Sequence, residues 1–65
     1  MKIRYFKDTD TMLIEFRKAA VAETRDLDEN TVIDLDASGN VCSITIEHAS
    51  TRADAPTVTY EQVAA

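Results

Sequence analysis

The sequence predicts a mainly β fold, an antiparallel β-meander of about five strands with a short helical turn after the last core strand and an extra C-terminal segment. Apolar and polar residues alternate with period two up to about residue 47, which is typical of half-buried strands. Runs rich in Asp, Asn, Ser and Gly separate the alternating stretches, and these residues favour tight turns. The chain has 65 residues, which is enough for a single small core.

The first hairpin joins a strand at residues 2–7 to a strand at residues 12–17 through a polar turn. The apolar positions of both strands fall on one face when Lys7 pairs with the first residue of the second strand. This register sets Arg4 opposite Glu15, and opposite charges in that arrangement stabilise neighbouring strands.

A weaker strand is predicted at residues 21–27, followed by a polar turn and a strand at residues 32–36. Pairing Leu27 with the first residue of the later strand brings Arg25 opposite Asp34. The prediction is therefore a second hairpin that again combines an apolar face with a charged cross-strand pair.

The third hairpin turns through Gly39, which takes the left-handed conformation that ends many hairpin loops. The returning strand is the last of the core. It places Ile33 opposite Ile44 and Leu35 opposite Cys42, so that apolar side chains again meet apolar side chains.

The alternation stops after this strand. Residues 49–55 predict a helical turn that Pro56 ends. Residues 57–60 fit an edge strand, in the same sheet or in a partner's sheet, and residues 60–65 also fit a fraying helix. We assign residues 1–50 to an antiparallel β-sheet domain and residues 51–65 to a turn and tail that pack on the sheet or on a partner subunit.

Alternation divides the apolar residues between the two faces of the predicted sheet. The first face collects Ile3, Tyr5, Met12, Ile14, Phe16, Ile33, Leu35, Cys42, Ile44 and Ile46. The second face carries Phe6, Leu13, Val21, Leu27, Val32 and Val41. A single sheet must bury its apolar face against another layer, and the tail is too short to cover both faces. A second subunit is the simplest cover, so we predict a homodimer.

Composition excludes several classes of function. The net charge of −5 repels phosphate backbones, so nucleic acid is not expected as a partner. No stretch approaches the roughly 18 apolar residues of a membrane span, and the first residues do not form the apolar core of a signal peptide. Cys42 is the only cysteine, which suits a reducing compartment. We therefore expect a cytoplasmic protein with no membrane association.

One segment resembles a calcium-binding loop. Asp34, Asp36 and Ser38 stand at its first, third and fifth positions. The twelfth position is Thr45, where such a loop needs a bidentate carboxylate, and the flanking segments are predicted strands instead of helices. A hairpin turn explains the same residues, because Asp and Ser side chains bond the turn backbone.

Two further pairs of residues have a functional and a structural interpretation. Asp8 and Asp10 lack a third converging ligand, so we interpret them as turn residues. Cys42 and His48 are the only conceivable pair of thiol and base, yet six residues of one strand separate them by about 20 Å. We interpret Cys42 as a small core residue and His48 as a polar residue at the strand end.

The order and spacing of five segments resemble the small prokaryotic family catalogued as domain of unknown function 2283. These segments are residues 1–5, the Asp-containing turn before residues 12–14, and residues 32–36, 39–41 and 44–50. The resemblance covers about residues 1–50 and implies a compact β-rich domain without implying an activity. Some such small proteins resemble partners in bacterial toxin and antitoxin pairs, which is the role that the resemblance suggests.

We predict a noncatalytic protein-interaction module that self-associates and whose acidic surface can bind a further protein partner. We assign no catalytic, cofactor-binding or metal-binding residue. The alternative is an enzyme or metal-dependent protein that uses Asp34, Asp36 and His48. Submicromolar binding of calcium or zinc in a calorimetric titration would favour that alternative.

Overall fold

The computed structural model describes residues 1–64. It contains five strands and one short helix, which are β1 (Lys2–Phe6), β2 (Thr11–Glu15), β3 (Glu23–Asp28), β4 (Thr31–Leu35), β5 (Val41–Ile46) and α1 (Ala49–Arg52). All strand pairs are antiparallel. The predicted fold class, a five-stranded antiparallel sheet followed by a helical turn, is confirmed.

The strands do not lie side by side in chain order. The order across the sheet is β1-β2-β5-β4-β3, so β5 is central and β3 forms an edge. The connection between β2 and β3 therefore passes the ends of β5 and β4. At its start the Phe16 amide donates to the carbonyl of Cys42, and at its end the Ala22 amide donates to the carbonyl of Leu35.

The first hairpin keeps the predicted faces and changes the predicted register. Tyr5 lies opposite Met12, and Arg4 lies opposite Leu13 instead of Glu15. The turn occupies the four residues before Thr11, and its last residue, Asp10, has a left-handed φ of 53°. A shift of two residues preserves the alternation, so every apolar side chain stays on its predicted face.

The second hairpin differs more from its prediction. Strand β3 begins at Glu23, and Arg25 lies opposite Ile33 instead of Asp34. The strand continues to Asp28, whose carboxylate accepts a hydrogen bond from the amide of Asn30 in the turn. This side-chain bond tightens the turn to two residues, and the pairing absorbs the extra residue as a bulge between residues 26 and 28.

The third hairpin confirms most of the prediction. Ile33 lies opposite Ile44, and Gly39 has a φ of +83°. Leu35 lies opposite Val41 instead of Cys42, because the register shifts after Asp34. A bulge of this kind keeps a strand paired while it adds one residue to it.

Helix α1 covers one end of the predicted apolar face. Ala49 and Ala55 are buried with Met12, and Tyr5, Ile14 and Ile46 pack against this cluster. The helix ends at Arg52, before the predicted stop at Pro56, because Ala53 takes an extended conformation. The other buried apolar residues are Leu35 and Cys42, at the opposite end of β4 and β5.

The segment after Pro56 forms neither the predicted helix nor a strand of its own sheet, and its pairing with a partner's sheet stays a prediction. Residues 57–64 contain no helix and no strand. Their larger apolar side chains are exposed, with 51% of Val58, 81% of Tyr60 and 71% of Val63 accessible to solvent. Ala55 is therefore the last buried residue of the described chain.

Candidate functional site

Four isoleucines form a continuous row across the sheet. Ile3 on β1 pairs with Ile14 on β2, which pairs with Ile44 on β5, which pairs with Ile33 on β4. Directly paired residues point to the same side of a sheet. We refer to these four residues as the isoleucine row.

None of the four isoleucines is buried, although three of them lie on inner strands. Ile14, Ile33 and Ile44 are half-buried and Ile3 is 38% exposed. Phe16 continues the alternation of β2 on the same face and is 41% exposed. Among the described residues the helix covers the neighbouring row, where Met12 pairs with Ile46, and of the isoleucine row Ile14 packs against the same cluster.

A charged pair borders the isoleucine row at the β3 edge. Arg25 lies opposite Ile33, and its guanidinium Nε donates to the carboxylate of Glu23 over 2.6 Å. Both side chains are more than half exposed. The face therefore has an apolar centre and a charged rim on this side, which is the usual composition of a protein–protein interface.

Asp10 joins the first hairpin to helix α1. Its Oδ1 accepts hydrogen bonds from the Tyr5 hydroxyl at 2.5 Å and from the Ser50 amide at 3.0 Å. Its Oδ2 accepts from the Ser50 hydroxyl at 2.7 Å, and its carbonyl oxygen accepts from the Ala49 amide at 2.9 Å. The residue before the helix, His48, makes no side-chain cap, so Asp10 in the neighbouring turn satisfies the first helix amides.

These hydrogen bonds change the acidity of both partners. The bond from Tyr5 and the bonds from Ser50 hold the pKa of the Asp10 carboxyl below its ordinary value. The same bond to Asp10 raises the pKa of the Tyr5 hydroxyl above its ordinary value. Each shift favours the ionised carboxylate accepting from a neutral hydroxyl, so the pair is most stable near neutral pH.

The turn residues that resemble a calcium loop bind separate partners. Asp34 accepts hydrogen bonds from the hydroxyls of Thr24 at 2.7 Å and Ser43 at 2.8 Å on the two neighbouring strands. Asp36 accepts from the amides of Ser38 and Asn40, both at 2.9 Å. Asp36 therefore closes the turn, as the hairpin interpretation predicts, whereas Asp34 bridges strands, which that interpretation does not include.

Asp36 also forms an ion pair with Arg17 at the start of the crossing connection. Asp8, the other predicted turn acid, is exposed. Asp28 accepts from Arg52 at 2.8 Å, which ties the second turn to helix α1. These ion pairs link loops that are distant in sequence.

Cys42 and His48 have separate surroundings. Cys42 is 3% exposed, and its Sγ lies 3.9 Å from the carbonyl oxygen of Asn40. His48 lies beyond the end of β5 with a left-handed φ of 55°, and its Nδ1 lies 2.9 Å from Oδ1 of Asn30. The thiol faces the core and the imidazole binds a turn residue of the second hairpin.

Residues 1–64 contain no pocket and no group of three His, Cys, Asp or Glu side chains arranged to hold a metal ion. In the same residues no helix has the length and apolarity needed to cross a membrane.

The comparisons with known proteins place the sheet in a family. No curated protein and no solved structure matches the chain. The family described as "Protein of unknown function (DUF2283)" matches residues 2–50, which include all five strands and the start of α1. The chain therefore belongs to the DUF2283 family.

Proposed function

We propose that the protein is a noncatalytic interaction module that associates with a second copy of itself through the face that carries the isoleucine row. The observation that supports this proposal is the isoleucine row itself, which consists of four paired isoleucines, none of them buried. One exposed and three half-buried isoleucines on adjacent strands form a contiguous apolar patch, and such patches mark interaction sites on small soluble domains.

The dimensions of the sheet set the area available for a face-to-face contact. The principal extents of the described chain, including the tail, are 35, 32 and 18 Å, so the domain is a flat plate. Five strands of five or six residues, spaced about 4.8 Å apart, give one face of the sheet an area of roughly 430 Å². A standard interface buries about 800 Å² on each partner, so this face supplies about half of such an interface.

A second copy also explains why so small a sheet has so small a core. Only five apolar residues are buried in the described chain, namely Met12, Leu35, Cys42, Ala49 and Ala55. A domain of this size usually gains the missing stability from a disulfide, a metal or a partner chain. Cys42 is the only cysteine, so no disulfide forms within the chain, and pairing two plates supplies the missing layer.

The noncatalytic part of the proposal rests on what the polar side chains do. Asp34 bridges two strands, Asp36 closes a turn and His48 contacts Asn30. Asp10 caps helix α1. Each of these groups has a structural role that accounts for its position in the sheet.

Two phenylalanines provide a matched test of which face associates. Phe16 is 41% exposed on the face of the isoleucine row, and Phe6 is 46% exposed on the opposite face of the sheet. Because both are exposed, a glutamate at either position leaves the fold of the single chain intact. We expect Phe16→Glu to produce a monomer, since it places a charge inside the contact, whereas Phe6→Glu retains the dimer.

Sedimentation equilibrium of the two variants at equal concentration provides the measurement, with circular dichroism to verify that each variant is folded. A monomeric Phe6→Glu beside a dimeric Phe16→Glu would move the interface to the opposite face. A dimer in both variants would show that the isoleucine face is not the interface between the two chains.

A further inference from the structure

The tail after Pro56 carries a strand pattern that its own sheet does not use. Residues 57–61 read Thr-Val-Thr-Tyr-Glu, so that Val58 and Tyr60 alternate with two threonines and Glu61. Threonine, valine and tyrosine favour strands. In the structure these residues form no strand, and Val58 and Tyr60 are 51% and 81% exposed.

The β1 edge of the sheet is open to another strand. β1 pairs with β2 on one side only, so the backbone groups on its other side have no partner strand within residues 1–64. The strand is regularly paired along its length, and its charged residues, Lys2 and Arg4, are both basic. An unpaired edge of this kind is a template for strand addition.

The other edge of the sheet is protected. β3 contains a bulge between residues 26 and 28, and all its residues are exposed. Four of its six residues are charged, and three of these are acidic, namely Glu23, Asp26 and Asp28. Bulges and charges are the devices that stop an edge from accepting a strand, and the acidic charge also repels Glu61.

The alternations of β1 and the tail match on both faces at one antiparallel register. With Thr57 opposite Phe6, the side chains of Val58 and Tyr60 fall on the face that carries Tyr5 and Ile3. On the other face Glu61 falls opposite Lys2. Apolar side chains thus extend the apolar face, and opposite charges meet on the polar face, as cross-strand pairing favours.

We propose that residues 57–61 of one chain add to β1 of a second copy as a sixth, antiparallel strand, and that the exchange is reciprocal. The proposal rests on the self-association proposed above and adds a second contact to it. The tail does not pair with its own β1, and the Thr57 amide donates to the carbonyl of Asp54 in the preceding turn. The strand pattern therefore remains free for the partner.

The exchange closes on itself. Because each chain donates one tail and accepts one tail, both β1 edges are covered within two chains, and pairing does not continue into a filament.

Hydrogen exchange of the tail amides, measured at two protein concentrations, tests directly whether the tail strands are exchanged between the two chains. In the dimer, the amides of residues 57–61 that face β1 are expected to exchange at least about tenfold more slowly than in the diluted monomer. Val58→Pro combined with Thr59→Pro removes one inward-facing amide whichever register is adopted. This double variant is expected to lose the protection and to dissociate about tenfold more readily.

A charge exchange tests the register. Lys2→Glu and Glu61→Lys should each weaken the dimer about two- to fivefold, and the combined variant should recover most of the loss. Lys7→Glu is the control, because Lys7 lies beyond the end of β1 and has no tail residue opposite it. An unchanged affinity in both single variants, or equal losses in all three, would contradict the register.

The outcomes separate this proposal from the one on which it rests. A dimer whose tail amides exchange freely would overturn the strand exchange and leave the isoleucine contact in place. Protection that is independent of concentration would place the tail on its own β1 and would also overturn the exchange. A chain that stays monomeric at every concentration would overturn both proposals.

Discussion

Replacing Met12 with alanine tests how the segment after β5 is held on the sheet. Met12 is 6% exposed and forms a cluster with Ala49 and Ala55. The two alanines contribute little surface, so the methionine supplies most of the contact. Truncating a buried methionine to alanine costs about 2–5 kcal/mol. We expect about 2–3 kcal/mol here, because a short helix can settle into part of the space.

That loss is a large share of the total free energy of unfolding. A domain of this size has about 3–5 kcal/mol of stability, and with a urea dependence of about 1 kcal/mol per molar the unfolding midpoint should fall by about 2–3 M. Leu13→Ala is the matched control. Leu13 is the next residue of the same strand, is half-buried and points to the opposite face. Its truncation should cost about 1 kcal/mol.

Urea unfolding of both variants at one fixed protein concentration, followed by circular dichroism, measures the difference. Equal losses for the two variants would show that the helical segment does not depend on Met12, and the account of the core given above would be wrong.

Three further predictions follow from single residues. The Asp10 carboxyl has a folded-state pKa below its unfolded value of 3.8, so its stabilising effect is present above that pH and is lost as the pH falls through the folded-state value. Asp10→Asn should therefore destabilise the protein at pH 7 and much less in strong acid, as pH-dependent urea midpoints will show. Gly39→Ala should cost about 1 kcal/mol in urea unfolding, because its φ is +83°. Gly39→Asn should cost less, since asparagine tolerates that conformation. The Cys42 thiol, 3% exposed, should react with a thiol reagent slowly in buffer and rapidly in urea. A fast reaction in buffer would contradict its burial.

Alternation was sufficient to predict the strands and, except in β3, the faces of their side chains. Ile3, Ile14, Ile33 and Ile44 lie on one face because period two is conserved by any shift of two residues. The same tolerance explains the error in the first register, where Arg4 lies opposite Leu13 instead of Glu15. The choice between registers depended on the turn, and the left-handed conformation of Asp10 was not visible in the pattern.

The predicted meander places the strands in chain order, which is wrong, although the composition carried a signal for the true order. β3 (Glu23–Asp28) contains four charged residues in six, whereas β5 (Val41–Ile46) contains none. Charged strands belong at edges and uncharged, β-branched strands in the centre. Applied to the whole chain, this rule places β5 inside and β3 outside, as the structure has them.

The contacts of Asp10 lay beyond sequence reasoning for a different reason. Asp10 and Ser50 are separated by 40 positions, and no periodicity joins a hairpin turn to a helix that far along the chain. Asp10 was predicted as a turn residue, which is correct for its backbone. Its carboxylate binds the helix because the neighbouring strands β2 and β5 bring the two segments to one end of the sheet.

The molecular mass in solution tests the central proposal most directly. Sedimentation equilibrium of the unmodified chain at micromolar concentrations should yield twice the 7.2 kDa of one chain, and the unfolding midpoint should rise with protein concentration, because dimerisation stabilises the folded chain by mass action. A mass of one chain, together with an unfolding midpoint that is independent of concentration, would contradict self-association through the isoleucine face.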